Sequence, residues 1–290
     1  MKVKPECIPC TFRQVLNVAK VATDKPETQL AVLYAAAKQI PNTDISGAPA
    51  ELLPLFLQDV YKVLGVRDPY AEKKRQINAQ VQELLPQLER EVAESEDPLF
   101  TAFLLAVAGN VIDLGILPEY DLVSTINEVF ELQFAVNDYP KLREAVEKAK
   151  KIVYLGDNAG EIVLDKLAVR ELARKAPVTY VVKGGVILND ATLEDARQVK
   201  MTELATVIDN GSAYPGTVLR DISDEAKEEL RSADLIISKG QANYETLDEL
   251  PAPIFFILRA KCDYVAQNLG VELGDVVLKA SDHYSPRAKI

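Results

Sequence analysis

From Thr11 to about Lys150 the apolar residues recur at helical spacing. Leu30, Leu33, Tyr34 and Ala37 fall at i, i+3, i+4 and i+7, and Ile77, Val81, Leu84 and Leu88 step by four, three and four. Both sets lie in segments rich in Ala, Gln, Glu and Lys, the pattern of amphipathic helices whose apolar stripe ordinarily faces a core. Pro26, Pro41, Pro69, Pro98, Pro118 and Pro140 fall between or at the starts of such segments, where a missing amide hydrogen does least harm. About six or seven helices are predicted in this half.

After Lys150 the rhythm changes to short β-branched runs at Lys151–Leu155, Val178–Val182, Ala205–Ile208, Asp234–Ile237 and Ile254–Leu258, which suit strands buried on both faces. Helical stretches separate them at Ile162–Lys175, Leu193–Val199 and Ser223–Ser232, the last opening on a Ser223 cap followed by two acids. This βαβα alternation predicts a mainly parallel sheet layered with helices. The expected organisation is a helical region over residues 1–148 and an α/β domain over 149–290.

In an open parallel sheet, ligands bind outside the carboxyl ends of the strands. Every predicted strand here is followed by polar or glycine-rich residues: Gly156-Asp157-Asn158, Lys183-Gly184-Gly185 leading to Asn189-Asp190, Asp209 to Ser212, Ser238 to Asn243, and Arg259-Ala260-Lys261. The five loops are expected to converge on one edge.

Composition narrows the function. A 48% apolar and 27% charged chain of 290 residues is that of a packed globular protein. Met1 to Lys20 lacks the apolar stretch of a signal peptide, and no segment approaches a membrane span, so a cytoplasmic protein without a membrane partner is expected. A net charge of -11 disfavours nucleic acid. Cys7, Cys10 and Cys262 are too few for a disulfide framework and read as reduced thiols. For the Cys7-x-x-Cys10 pair a structural or regulatory role is favoured over catalysis, because neither a thioredoxin-like βαβ context nor two further zinc ligands accompany it. His283 reads as a surface or packing residue. Nothing in the sequence specifies an oligomeric state.

Asp157 and Asn158 follow the first predicted strand directly, and Gly160 and Glu161 precede a helix whose amino-terminal amides favour an anion. Asp and Asn supply hard oxygen donors suited to magnesium or manganese, with Asp190 offering a third from the next loop. An Asp-Asn pair after a strand is equally a turn or helix-cap signal. Of Glu161 and Asp165, one turn apart, only Glu161 lies close enough to the turn to favour function. Asn110 and Asp113 either reach the site from the helical half or satisfy each other.

Gly156 to Asp165, Leu188 to Thr192 and Lys239 to Glu245, together with Cys7-Ile8-Pro9-Cys10, Asp68 to Asn78 and Gly109 to Asp113, resemble the DUF89 family of damage-control phosphatases, in its Cys-x-x-Cys subfamily. The resemblance implies a Rossmann-like three-layer α/β/α domain joined to an all-helical amino-terminal region. It implies one divalent cation, Mn2+ first and Ni2+, Co2+ or Mg2+ after it, held by Asp157, Asn158 and Asp190. Ser212, Gln241, Asn243 and Lys261 are then expected to face the phosphate or substrate, and Asp157, Asp190, Glu161 and Lys261 to carry the chemistry. The implied activity is hydrolysis of small phosphorylated metabolites, with sugar phosphates such as fructose 1-phosphate or fructose 6-phosphate as the class.

Two other readings stand beside it. A Rossmann-like sheet also holds S-adenosylmethionine, which makes a carboxyl methyltransferase an alternative, although a glycine-rich G-x-G turn does not follow the first strand. A non-catalytic metal- or partner-binding protein is the other; if the Cys-x-x-Cys pair or the helical half binds a partner, the oxygen-rich strand ends are left without a purpose.

Overall fold

The computed structural model describes residues 1–111 and 133–290, with the side chains of residues 108–111 excepted. Asp113 and the side chain of Asn110 therefore lie outside the described residues. The described strands form one seven-stranded sheet: β1 (Val136–Asn137), β2 (Ile152–Leu155), β3 (Val178–Val182), β4 (Thr206–Asp209), β5 (Leu235–Lys239), β6 (Ile254–Arg259) and β7 (Val276–Ala280). Their order is β1-β7-β6-β5-β2-β3-β4. All neighbours are parallel except β6 and β7. The chain runs outward from β2 through β3 to β4, then returns to the other side of β2 as β5. The switch point of this doubly wound sheet is thus between β2 and β5, where such folds bind ligands.

Helices cover both faces, because alternate residues of each buried strand point to opposite sides. On one face Tyr154, Tyr180, Ile237 and Ile257 pack against α4 (Ala71–Glu94), α5 (Pro98–Val111), α6 (Tyr139–Lys148), α7 (Glu161–Ala173) and α8 (Leu193–Gln198). On the other, Val153, Val181, Ile236 and Phe256 pack against α9 (Asp224–Ser232), α10 (Gln241–Leu247) and α11 (Asp263–Leu269). The result is a three-layer α/β/α architecture with amino-terminal helices, as expected. Ser223 caps α9 by accepting the Ala226 amide at 3.1 Å, and α3 (Leu52–Leu64) stops where Gly65 turns left-handed at φ 66°.

A third apolar cluster joins α1 (Cys7–Ala22), α2 (Pro26–Ala37) and α3, and takes in Ile187 from the loop after β3. In α2 the buried side chains are Val32 and Ala36, whereas Leu30 and Tyr34 of the expected core stripe are 50% and 67% exposed. This helix is apolar on two sides, so periodicity alone selects the wrong one. In α4 the buried line is Lys74, Asn78, Val81, Leu85, Leu88 and Val92. It is apolar along most of its length and turns polar where the helix meets the switch point. Among the described residues no helix is long and apolar enough to cross a membrane.

Candidate active site

Two loops are zipped together at the end of β2. The Ala191 amide donates to the Asp157 carbonyl at 2.8 Å and the Ala159 amide to the Asn189 carbonyl at 2.9 Å, with a bridge between Asn158 and Asp190. This pairing brings Asp157 and Asp190, on the loops after β2 and β3, to one side of the sheet edge. Leu188, in the second loop, has φ 47°, a conformation uncommon for a residue with a side chain and one that surrounding packing must hold. Its neighbour Ile187 is locked into the α1–α3 cluster. Across the switch point Gly240, at φ 83°, lies so close that a β-carbon there would meet Asp157 Oδ2 at 1.9 Å. Only glycine fits this approach.

Both carboxylates are buried, Asp157 at 8% and Asp190 at 4% exposure. Burial, then the charge of Asp190, pushes the Asp157 carboxyl up to about 6. Burial likewise raises Asp190 to about 6, against the pull of Lys183. Asp190 Oδ2 has no hydrogen-bond partner, and Lys183 Nζ stands 3.8 Å away while donating to the Gly216 carbonyl. A buried carboxylate oxygen without a donor is costly unless something positive faces it. The Asn158 amide donates to Asp157 at 3.1 Å and to Glu161 at 2.9 Å. Among the described residues no three His, Cys, Asp or Glu side chains converge on a metal-sized site, so the candidate donor set is two carboxylates completed by the Asn158 carboxamide. Its hard oxygens and its orphaned Asp190 oxygen fit a divalent cation.

Beneath these residues sits an ion network that sequence reasoning did not assign. Lys239, fully buried at the end of β5, donates to Asp165 at 2.8 Å and to the Ala106 carbonyl of α5 at 2.8 Å, and reaches Glu161 at 3.4 Å. Burial would lower its pKa, but Asp165 and Glu161 outweigh burial and the net shift is upward. Asp165 also accepts from the stacked Tyr154 and Tyr180 hydroxyls, each at 2.7 Å. Asp165 is thus a buried hub rather than a helix-dipole residue. Glu161 is driven by burial to about 7, with Lys239 opposing and Asp157 adding to the shift.

The amino terminus of α7 is largely committed. Asn78 of α4 accepts the Gly160 amide at 2.7 Å, and the Ile162 and Val163 amides go to the Asn158 and Gly160 carbonyls. The expected anion-binding amides are therefore occupied at three positions. Asn78 is itself held by Asp195 and Gln198, and Lys74 pairs with the same Asp195 at 3.1 Å. Their clue in the sequence was their place on the buried line of α4, one and two turns before Val81.

Lys261 is exposed, and its charge opposes the upward shifts of Asp157, Glu161 and Asp190, which sets it over the same edge. The other three expected substrate contacts are engaged within the protein. Ser212 donates to Asp221 and accepts the Tyr214 amide. Asn243 accepts from Thr217 and donates to the Lys239 and Gly156 carbonyls, cross-bracing the loops after β2 and β5. Gln241 donates to Glu245 and Cys262 and accepts the Lys261 amide at 2.8 Å, so it positions the Lys261 loop. Cys7, Cys10 and Cys262 are free thiols, the first two with pKa raised mainly by burial. His283 is exposed.

The damage-control phosphatase ARMT1-like domain matches residues 3–277. The chain belongs to this family. A damage-control phosphatase of Archaeoglobus fulgidus is 36% identical over 288 residues, covering 96% of this chain and 99% of the relative. One from Pyrococcus horikoshii is 34% identical over 283 residues, covering 96% and 97%. A crystal structure of a DUF89 family protein from Pyrococcus horikoshii superposes with a TM-score of 0.90 at 32% identity, over 97% of this chain and all of that one. The fold and the family reading of the motifs thus stand, and the chain is a member of a phosphatase family.

Proposed function

We propose that this damage-control phosphatase family member is a divalent-metal-dependent phosphomonoesterase acting on small phosphorylated metabolites, with sugar phosphates such as fructose 1-phosphate or fructose 6-phosphate as the first class to test. The observation that carries the reading is the buried pair Asp157 and Asp190 at the switch point, with Asp190 Oδ2 lacking any protein donor. Asp157, Asn158 and Asp190 would hold the cation, Mn2+ before Ni2+, Co2+ or Mg2+. When bound, it supplies charge neutralisation for a phosphate oxygen. Phosphoryl transfer asks mainly for positioning and for countering charge. Lys261 brings an exposed ammonium to the same edge, and Gln241 fixes the backbone that carries it. Lys239 keeps Glu161 and Asp165 paired behind the site. A carboxylate then orients the attacking water or itself attacks phosphorus, and Asp157, Asp190 and Glu161 are the candidates.

The test is release of inorganic phosphate from a panel of sugar and nucleotide phosphates by metal-stripped protein, with each divalent cation added back. Asp157→Ala and Asp190→Ala are expected to abolish metal-dependent release while leaving the circular dichroism spectrum intact. Metal-independent turnover, or wild-type turnover in either variant, defeats the proposal.

A further inference from the structure

Six of the eight large apolar side chains that stand exposed among the described residues lie between positions 30 and 66, in the amino-terminal helical region. Two of them, Leu30 and Tyr34, share one face of α2. With Glu27, Ala31 and Lys38 they form a solvent-facing line at i, i+3, i+4, i+7 and i+11, and all five are exposed. Lys38, the residue that ends the helix, keeps helical backbone at φ -64° and ψ -20°, so the line continues through it. The opposite side of the helix is buried through Val32 and Ala36. Among the described residues neither Glu27 nor Lys38 makes an ion pair within the chain.

The order along this line is acid, apolar, small, aromatic, base, which makes the face complementary to its own reverse. A two-fold axis crossing α2 midway between residues 32 and 33 sets Glu27 opposite Lys38 of a second copy, twice over. The same axis sets Tyr34 opposite Ala31 and Leu30 opposite Ala35, so each large side chain meets a small one. Matching of large to small positions and of opposite charges is what an isologous interface requires. We infer that this face of α2 is the contact surface of a homodimer, in which two α2 helices pack antiparallel across a two-fold axis.

The size of the face sets the strength. A helix of 12 residues is about 18 Å long, and one side of it offers well under the roughly 800 Å² per partner of a standard stable interface. Exposed Ile40 and Ile45, which follow α2, extend the apolar surface only modestly. The dimer is therefore a reversible one whose population depends on protein concentration.

Sedimentation velocity of the full chain over a concentration series tests this, with circular dichroism confirming that each variant is folded. The wild type is expected to pass from monomer to dimer. Tyr34→Glu, which sets an acid into the apolar centre, is expected to weaken association by about a hundredfold or more. Lys38→Glu alone turns both symmetric attractions into repulsions and is expected to weaken it by about tenfold. Glu27→Lys combined with Lys38→Glu exchanges the charges and is expected to restore wild-type association. A wild type that stays monomeric throughout, or a dimer indifferent to Tyr34→Glu, overturns the proposal. A doubly exchanged variant as weak as Lys38→Glu alone overturns it too, because recovery is specific to the antiparallel pairing.

Discussion

If Asp157 and Asp190 hold a cation, that cation competes with protons at an unusually high pH. Both carboxyls are raised to about 6, by burial first and then by neighbouring charges, whereas an ordinary aspartate titrates near 3.9. At pH 5 a carboxyl of pKa 6 is ionised in only about one molecule in eleven, while one of pKa 3.9 is more than 90% ionised. Because the two acids influence each other, protons leave the pair in macroscopic steps, and the affinity lost between pH 8 and pH 5 should lie between about tenfold and about a hundredfold. Two acids of ordinary pKa would lose less than about twofold. Calorimetric titration of metal-stripped protein with Mn2+ from pH 5 to 8 measures this directly. The sign also appears in stability. Carboxyls whose folded pKa is raised favour the native state below their unfolded pKa, and that contribution is lost as pH rises toward 6. Added Mn2+ should consequently raise the melting temperature more at pH 8 than at pH 5. A Mn2+ affinity that changes less than twofold over this range, in protein that remains folded, would refute the reasoning.

Three further outcomes are expected. Glu245 is buried and raised to about 7, chiefly by burial, so its ionisation weakens the fold as pH climbs from about 4.5 to 7, and Glu245→Gln should stabilise the protein by up to about 3 kcal/mol at pH 8 with little effect near pH 4; chemical denaturation at the two pH values checks this. Gly240→Ala drives a methyl group into Asp157 at a left-handed position, so phosphate release should be lost along with about 1–2 kcal/mol of stability, measured by turnover and urea unfolding. For Lys261→Met, turnover should fall by roughly a hundredfold if the ammonium acts in the transition state, with metal affinity nearly unchanged. A raised Michaelis constant at constant turnover would instead make it a ground-state phosphate contact.

The strands of the switch point were legible because each is a buried β-branched run closed by glycine or a polar residue. Ile152–Leu155, Val178–Val182 and Leu235–Lys239 are buried throughout. β7 is less legible because its short apolar run Val276-Val277-Leu278 is followed by no helical stretch to continue the βαβα alternation, and the two-residue β1 is too short to leave a signal. The seven-residue helices α10 and α11 complete too few turns for periodicity to register. Asp157, Asn158 and Asp190 could be singled out because their chemistry and their strand-end positions agree. Ser212, Gln241 and Asn243 follow strands in the sequence, yet tertiary contacts engage their polar groups in bracing loops, which residue type cannot foretell. The least legible feature was Lys239. In the sequence it ends an apolar strand like any loop-facing lysine, and its partners Asp165, Glu161 and the Ala106 carbonyl come from two helices, with Tyr154 and Tyr180 reaching Asp165 from β2 and β3.

That network bears on the charge the site must accommodate. The buried acids at the switch point are Asp157, Glu161, Asp165 and Asp190, and the buried bases there are Lys183 and Lys239. Fully ionised, four negative charges face two positive ones, leaving an excess of two within a desolvated volume. Lys74 is paired with Asp195 and Asp68, and its charge only partly offsets the excess by opposing the rise of Asp190. A protein answers such an excess by taking up protons or by binding a cation, and the rise of Asp157 and Asp190 to about 6 and of Glu161 to about 7 is the first response. A dication bound there would offset this excess and favour the ionised forms of Asp157, Asp190 and Glu161. A monovalent ion leaves one charge uncompensated, so sodium or potassium should not displace the proton from the pair at concentrations where Mn2+ does. Lys261 also opposes these shifts, but its ammonium is exposed to solvent, where a phosphate arriving at the edge would meet it.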